Sequence, residues 1–376
     1  MKTARTFLLY LPIFLISAGN YIKEPDQPAL KDVYKNDFLI GAALNDNIVS
    51  GKDQEASDLV QEHFNTITPE NVMKWQLIHP GPGKYTFEAA DRYVDYGIKH
   101  KMFIVGHTLV WHWQTPRGLF TDSSGKLLDR QSMLKCLKEH IFTVVGRYKG
   151  KVKGWDVVNE ALDDSGNINK TKWVETIGED FIDKAFEFAH EADPDAELYY
   201  NDFLIDRPAK RDGTLRLVRR LQSEGLRIDG VGIQWHCGLD YPVQSEFDAF
   251  VDSISALGVK IMITELDVDI LPSAFGYRGA DIGMNAKMKK DLNPFTEGLP
   301  EEKQKQLADR YAELFSMLLD KPGKISRVTF WGVCDGTSWL NNWPVRGRTN
   351  YPLLFDRNYR PKPAFFSVME IGKKKK

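Results

Sequence analysis

The chain has 376 residues, of which 42% are hydrophobic, and its formal net charge at pH 7 is −2. This is the composition of a folded globular protein, and the length suits one large domain or two ordinary ones. The near-neutral charge excludes the broad basic field that binds nucleic acid or an acidic membrane surface.

The N-terminus has the pattern of a secretory signal. Lys2 and Arg5 precede an apolar run over residues 7–16, and small residues follow at 17–19. The run is too short to serve as a stable membrane anchor, so an export signal over 1–19 is favoured over a retained anchor. The mature protein is therefore expected to be a soluble monomer in the periplasm or the extracellular space.

Apolar runs and amphipathic segments alternate along the rest of the chain. The runs predict eight buried strands, at 38–43, 65–68, 103–109, 152–158, 197–200, 229–233, 259–266 and 326–331. The amphipathic segments predict helices, most clearly at 181–191, 212–224, 245–257 and 301–319. Such alternation predicts parallel βα units, and eight units in one α/β domain over 20–371 predict a closed (β/α)8 TIM barrel with its site at the C-terminal face of the strands.

Two of the apolar runs lead directly into a glutamate. Residues 154–159 precede Glu160, and residues 261–264 precede Glu265. A carboxylate at the rim of a buried strand is costly unless it has a task. In a barrel the two carboxylates would face each other across its mouth, an arrangement that glycoside hydrolysis requires.

Aromatic, amide and charged side chains follow several other predicted strands. Flat indole faces stack on sugar rings, while amides and ammonium groups bind hydroxyls. These residues therefore predict a saccharide cleft; they are Glu70, Asn71, Lys74, His107, Trp111, Gln114, Asn201, Gln234, His236, Trp331 and Trp339.

These segments resemble those of glycoside hydrolase family 10, the endo-β-1,4-xylanases. Segments 155–160 and 263–267 match the two catalytic signatures of the family. Segments 70–75, 107–114, 234–236 and 331–339 match its substrate-site signatures in the same order, and the resemblance covers roughly residues 30–370. It implies a retaining enzyme that hydrolyses internal β-1,4-xylosidic bonds, with xylan and xylo-oligosaccharides as its partners.

The resemblance also implies a role for each catalytic residue. Glu160 would be the general acid/base and Glu265 the nucleophile, with the two carboxyl groups about 5–5.5 Å apart. Asn159 would donate to the 2-hydroxyl of the sugar being cleaved. His236 would orient Glu265, and Gln234 would position the acid/base.

The remaining residues of the cleft are implied to bind sugar. Lys74, His107 and Trp111 would line the subsite of the scissile sugar, with Trp331 and Trp339 as its walls. Glu70, Asn71 and Gln114 would hold the next sugar towards the non-reducing end, and Asn201 would point to the leaving-group side.

Two other functions stay open. A barrel glycosidase acting on β-1,4-glucan is the first, although Lys74, Gln114 and Trp339 fit the xylan-directed pattern better. A non-catalytic xylan-binding protein on the same scaffold is the second, and the intact glutamate pair argues against it.

No cofactor is expected, because the sequence has no phosphate-binding glycine loop. No metal is expected either, because His107 and His112 lack the spacing of a zinc site.

Several features are predicted to be structural or carry no assigned role. Asp156 and Asp267 are expected to support the site, and Asp335 and Ser338 to organise the turn that carries Trp339. The three cysteines are expected to be free and mostly buried. No role is assigned to Trp113, Trp235 or the long loop 271–300, and residues 372–376 are expected to form a disordered basic tail.

Overall fold

A computed structural model describes residues 28–272 and 290–374. The predicted signal 1–19, the middle of the loop 271–300 and the last two residues of the tail lie outside the described residues. Within the described part no helix is long and apolar enough to cross a membrane.

The core of the molecule is a closed barrel of eight parallel strands, which confirms the predicted architecture. Every pairing is parallel, the strands follow one another in chain order, and the sheet closes where β6 pairs with β8. The barrel strands are β1 (Leu39–Leu44), β2 (Thr66–Pro69), β3 (Phe103–Val110), β4 (Gly154–Asn159), β5 (Glu197–Asp202), β6 (Gly230–Ile233), β8 (Lys260–Val268) and β9 (Ile325–Phe330). A two-residue strand, β7 (His236–Cys237), pairs with the outer end of β8 and was not predicted from sequence.

Helices connect the strands and cover the barrel. In the described residues they are α1 (Leu30–Val33), α2 (Asp46–Val49), α3 (Gln54–His63), α4 (Trp75–Ile78), α5 (Glu88–Lys99), α6 (Arg130–Arg147), α7 (Lys172–Thr176), α8 (Phe181–Ala192), α9 (Pro208–Ser223), α10 (Gln244–Ser255), α11 (Glu301–Leu319) and α12 (Pro363–Lys374). The helix predicted at 212–224 begins earlier than expected, because Pro208 occupies its first turn, where a missing N–H costs nothing.

The strands are buried along almost their whole length, as their apolar composition requires. All six residues of β4 are buried, and only the first residue of β8 is exposed. Gly106 on β3 makes room for a large neighbour, since a Cβ there would lie 2.1 Å from the ring of Trp155. The fully buried Trp155 therefore depends on a glycine in the adjacent strand.

The C-terminus differs from the expected disordered tail. Helix α12 extends through Lys374 and carries Lys373 and Lys374 in its last turn. Positive charge is favoured at the C-terminal end of a helix, so these lysines stabilise the helix that they were expected to follow. The cysteines are free as predicted: Cys237 and Cys334 are buried, and Cys136 is half-buried.

Candidate active site

Glu160 directly follows β4 and points into the barrel mouth from a tightly held backbone. Its φ angle is +56°, and its backbone N–H donates to the carbonyl of Asn201 at 2.9 Å. The carboxylate accepts from Trp111 Nε1 at 2.9 Å and from Gln234 Nε2 at 2.9 Å. The two donors fix the orientation of the carboxyl group, and Gln234 lies where its predicted role in positioning Glu160 requires.

Glu265 lies within β8, three residues before its end, and not at the end of the strand as predicted. The strand continues because Leu266 pairs with Phe330 and Asp267 pairs with His236. The carboxylate of Glu265 is buried and has two close donors, Asn201 Nδ2 at 2.9 Å and His236 Nε2 at 3.2 Å. Like the carboxylate of Glu160, it therefore accepts hydrogen bonds from side chains, but from different ones.

Asn201 connects the two carboxylate-bearing strands. Its Nδ2 donates to both Glu265 and Asn159 at 2.9 Å, and its Oδ1 accepts from the hydroxyl of Thr264 at 2.6 Å. The side chain is fully buried among these partners. These bonds give Asn201 a positioning role at Glu265, and its predicted place on the leaving-group side of the cleft stays a prediction.

The surroundings of the two glutamates shift their pKa values in opposite directions. Burial raises the pKa of Glu160, and the nearby charges of Asp202 and Glu265 raise it further, against the hydrogen bonds from Gln234 and Trp111. Burial also acts to raise the pKa of Glu265, but the hydrogen bond from His236 and the positive charge around it outweigh burial and lower the pKa. One carboxyl group is thus favoured as an acid and the other as an anion.

His236 contributes both the hydrogen bond and part of the positive charge beside Glu265, and it forms a chain with Asp267 and Trp339. Burial opposes protonation of His236, but Asp267 and Glu265 outweigh it and raise its pKa to about 10. Both ring nitrogens are then donors, Nδ1 to Asp267 at 3.1 Å and Nε2 to Glu265 at 3.2 Å. Asp267 also accepts from Trp339 Nε1 at 2.8 Å. The predicted contact of His236 with Glu265 is confirmed, and so is the supporting position of Asp267.

Lys74 lies between two tryptophans on the other side of the mouth. Its Nζ is 5.1 Å from the ring centre of Trp111 and 5.9 Å from that of Trp331, and it donates to Asn71 Oδ1 at 3.1 Å. Burial lowers the pKa of Lys74, while the charges of Glu265, Glu70 and Glu160 oppose that shift. This ammonium group accordingly lies within the field of Glu160 and Glu265.

His107 is buried at the same end of the barrel. Its Nδ1 lies 2.8 Å from Asp156 Oδ2, and its ring meets Trp331 edge to face, with the ring centres 5.4 Å apart. Asp156, which lies within β4, therefore orients a cleft histidine, in agreement with its expected supporting role.

The three residues predicted to hold the next sugar, Glu70, Asn71 and Gln114, differ in their exposure to solvent. Glu70 and Asn71 are half-buried after β2, and burial raises the pKa of Glu70 despite the opposing charge of Lys74. Gln114 is exposed in the loop after β3, where its φ angle is +50° and its carbonyl accepts from Gln76 N at 2.9 Å. These three side chains lie in the loops of two adjacent strands.

The turn that carries Trp339 rests on a buried ion pair. Lys362 Nζ donates to Asp335 Oδ2 at 2.9 Å, and Asp335 Oδ1 also accepts from the backbone N–H of Leu353. Ser338 Oγ caps the short 3-10 turn Trp339–Asn341 by accepting from Leu340 N at 3.2 Å. The predicted role of Asp335 and Ser338 as organisers of this turn is confirmed.

The family model described as Glycosyl hydrolase family 10 matches residues 29–371. The chain belongs to this family. It is 44% identical to an endo-1,4-beta-xylanase A of Xylanibacter ruminicola over 97% of both chains, and 41% identical to a beta-1,4-xylanase of Dictyoglomus thermophilum over 97% of this chain and 98% of that one. A GH10 endoxylanase from a sugarcane soil metagenome superimposes with a TM-score of 0.86 at 42% identity, covering 92% of this chain and 100% of that one.

Sequence reasoning missed three contributors to this family 10 site. Trp173 Nε1 donates to the carbonyl of Trp111 at 3.0 Å and so supports a cleft tryptophan from α7. Thr264 holds Asn201, and Trp343 stacks beside Trp339. Thr264 immediately precedes Glu265 and was open to inference from that position. Trp173 lies on the short helix α7 and Trp343 in a loop, and the sequence pattern does not specify where either segment packs.

The described residues contain no group of three or more His, Cys, Asp or Glu side chains that could hold a metal ion. The arrangement that they do contain is a pair of carboxyl groups with opposite pKa shifts, surrounded by indoles, amides and one ammonium group.

Proposed function

We propose that the protein is an endo-1,4-β-xylanase that cleaves internal bonds of xylan with retention of anomeric configuration. The observation that carries the proposal is the opposite environment of the two glutamates, in a chain of glycosyl hydrolase family 10. Glu160 is the general acid/base, and Glu265 is the nucleophile.

In the first step Glu265 attacks the anomeric carbon and forms a covalent glycosyl-enzyme. The bond to the leaving oxygen breaks as Glu160 transfers its proton to that oxygen. Glu265 loses its negative charge in this step, so the pKa of Glu160 falls. In the second step Glu160 accepts a proton from water, the water oxygen attacks the anomeric carbon, and Glu265 leaves as a carboxylate.

The choice of xylan is supported by the relatives and by the aromatic wall. Two relatives are named as xylanases, and a solved structure 35% identical to this chain holds xylotriose. Xylose lacks the C6 hydroxymethyl group of glucose, and Trp339 is held over the Glu265 side by its hydrogen bond to Asp267. A bulky wall of this kind disfavours glucose by only a few kcal/mol, so weak activity on aryl cellobiosides is expected.

The test is hydrolysis of linear β-1,4-xylan and of β-1,4-glucan by the purified protein, with Glu265→Ala as the matched inactive variant. We expect xylo-oligosaccharides of several lengths early in the reaction, and a loss of several orders of magnitude in Glu265→Ala with an unchanged circular dichroism spectrum. Preference for glucan would favour the other barrel glycosidase. A folded wild-type protein that binds xylan without cleaving it would favour the binding protein.

We also propose that the protein is exported, on the basis of the signal pattern at 1–19. Fractionation of cells that express the full chain, or a chain lacking residues 2–19, tests this directly. Export of the full chain alone supports the proposal, and equal retention of both in the cytoplasm contradicts it.

A further inference from the structure

Trp343 is an exposed indole for which the family resemblance assigned no role. Among the described residues two tryptophans are more than half exposed: Trp113, at 63%, and Trp343, at 59%. Trp343 lies two residues beyond the short turn Trp339–Asn341, in the loop that follows β9 at the catalytic end of the barrel. An exposed indole beside a saccharide cleft offers a flat apolar face to a ligand.

The ring of Trp343 lies beside that of Trp339. The two ring centres are 6.3 Å apart and the ring planes differ by 23°. Trp343 is 59% exposed in this position, so its indole remains open to solvent beside Trp339. Trp339 is itself fixed from behind by Asp267.

The backbone that carries Trp343 is anchored by a buried guanidinium group. Arg348 Nη1 donates to the carbonyl of Trp343 at 3.3 Å and to Asp269 Oδ2 at 2.9 Å. Its other nitrogens donate to the carbonyls of Leu292 and Pro272, and the side chain is fully enclosed. Asp269 follows the strand of Glu265, so the loop of Trp343 is tied to the nucleophile strand.

We propose that Trp343 is a further sugar-stacking residue, which binds the unit of a β-1,4-linked xylose chain next to the sugar walled by Trp339. This inference rests on the proposed xylanase function. A preorganised aromatic platform strengthens binding because little conformational freedom remains to be lost when the sugar stacks. Its contribution is therefore confined to substrates long enough to reach it.

The test compares Trp343→Ala and Trp343→Phe with wild type on xylo-oligosaccharides from two to six units. Phe366→Ala is the control, because Phe366 is an aromatic side chain on α12, outside the cleft, and is 40% exposed. For Trp343→Ala we expect kcat/KM on xylohexaose to fall about three- to tenfold, mainly through KM, by analogy with the energies of aromatic contacts. The loss should diminish for the shortest substrate that is cleaved, and Trp343→Phe should recover most of it.

A binding measurement separates an effect of Trp343 on sugar binding from an effect on the chemical step. In a Glu265→Ala background, calorimetric titration with xylohexaose should give a Kd that Trp343→Ala raises by the same factor. An equal loss at every substrate length, or an unchanged Kd, would overturn the inference. Absence of xylan cleavage by the wild type would instead overturn the proposed function, and the titration in the Glu265→Ala background distinguishes that failure because it requires no cleavage.

Discussion

Replacing His236 by alanine removes the proton donor that keeps Glu265 ionised. In the native site His236 donates to Glu265 at 3.2 Å and carries a positive charge, because its pKa is raised to about 10. A hydrogen bond to a charged group contributes about 1.5–3 kcal/mol. Since 1.36 kcal/mol is a factor of ten in rate, kcat/KM on xylan should fall roughly 10- to 150-fold.

The pH dependence of the variant gives a sharper readout than the rate alone. The acid limb of kcat/KM reports the pKa of the group that must be ionised in the free enzyme, which is Glu265 in this account. Without His236 the burial of Glu265 is opposed by fewer positive charges, so its pKa rises. The acid limb should therefore move to higher pH, and activity at low pH should fall more than activity at neutral pH.

The assay is kcat/KM on an aryl xylobioside across the acid and neutral range. His190→Ala is the control, because His190 is exposed on α8, on the outside of the barrel. The control should reproduce the wild-type profile. If the acid limb of His236→Ala coincides with that of wild type, His236 does not set the ionisation of Glu265 and the reasoning is refuted.

Three further predictions concern other parts of the structure. Glu160→Gln should lose about a hundredfold or more on xylan but much less on an aryl xyloside whose leaving group needs no proton, and equal losses on the two substrates would count against an acid role. Asn201→Ala leaves buried polar partners unsatisfied, at about 1–3 kcal/mol each, so kcat should fall about tenfold or more and Tm should drop; an unchanged kcat would remove Asn201 from the site. Lys362→Met leaves Asp335 buried without its partner and should lower the free energy of unfolding by about 3–5 kcal/mol in urea titrations, whereas Lys305→Met, which breaks an exposed pair, should change it by less than about 1 kcal/mol. Equal effects of the two lysine substitutions would contradict the importance of the buried pair.

The barrel could be predicted because its strands are buried on both faces and therefore read as apolar runs. All eight predicted strands are present, with bounds within two residues of those observed. The two-residue strand His236–Cys237 was missed, because so short a segment has no periodicity of its own and forms only by pairing with β8. The start of α9 was also missed, since its first turn is polar and begins with Pro208.

The candidate site was only partly predictable. Glu160 and Glu265 could be identified because each follows an apolar run, and the structure surrounds both with donors. The hydrogen bonds of Asn201 to Asn159, Thr264 and Glu265 were not predicted, because the direction of a side chain at the end of a barrel strand depends on its neighbours in β4 and β8. Trp343 gave no periodic signal, and its loop is held by Arg348, which forms an ion pair with Asp269, distant in sequence.

The most direct test of the central claim is the stereochemistry of the first product. Proton NMR of linear β-1,4-xylan during hydrolysis resolves the anomeric protons before the released sugars mutarotate. A nucleophilic Glu265 and an acid/base Glu160 require retention, so β-anomeric xylo-oligosaccharides should appear first. Early α-anomers would show that water attacks the sugar directly and would contradict the assignment of Glu265 as the nucleophile.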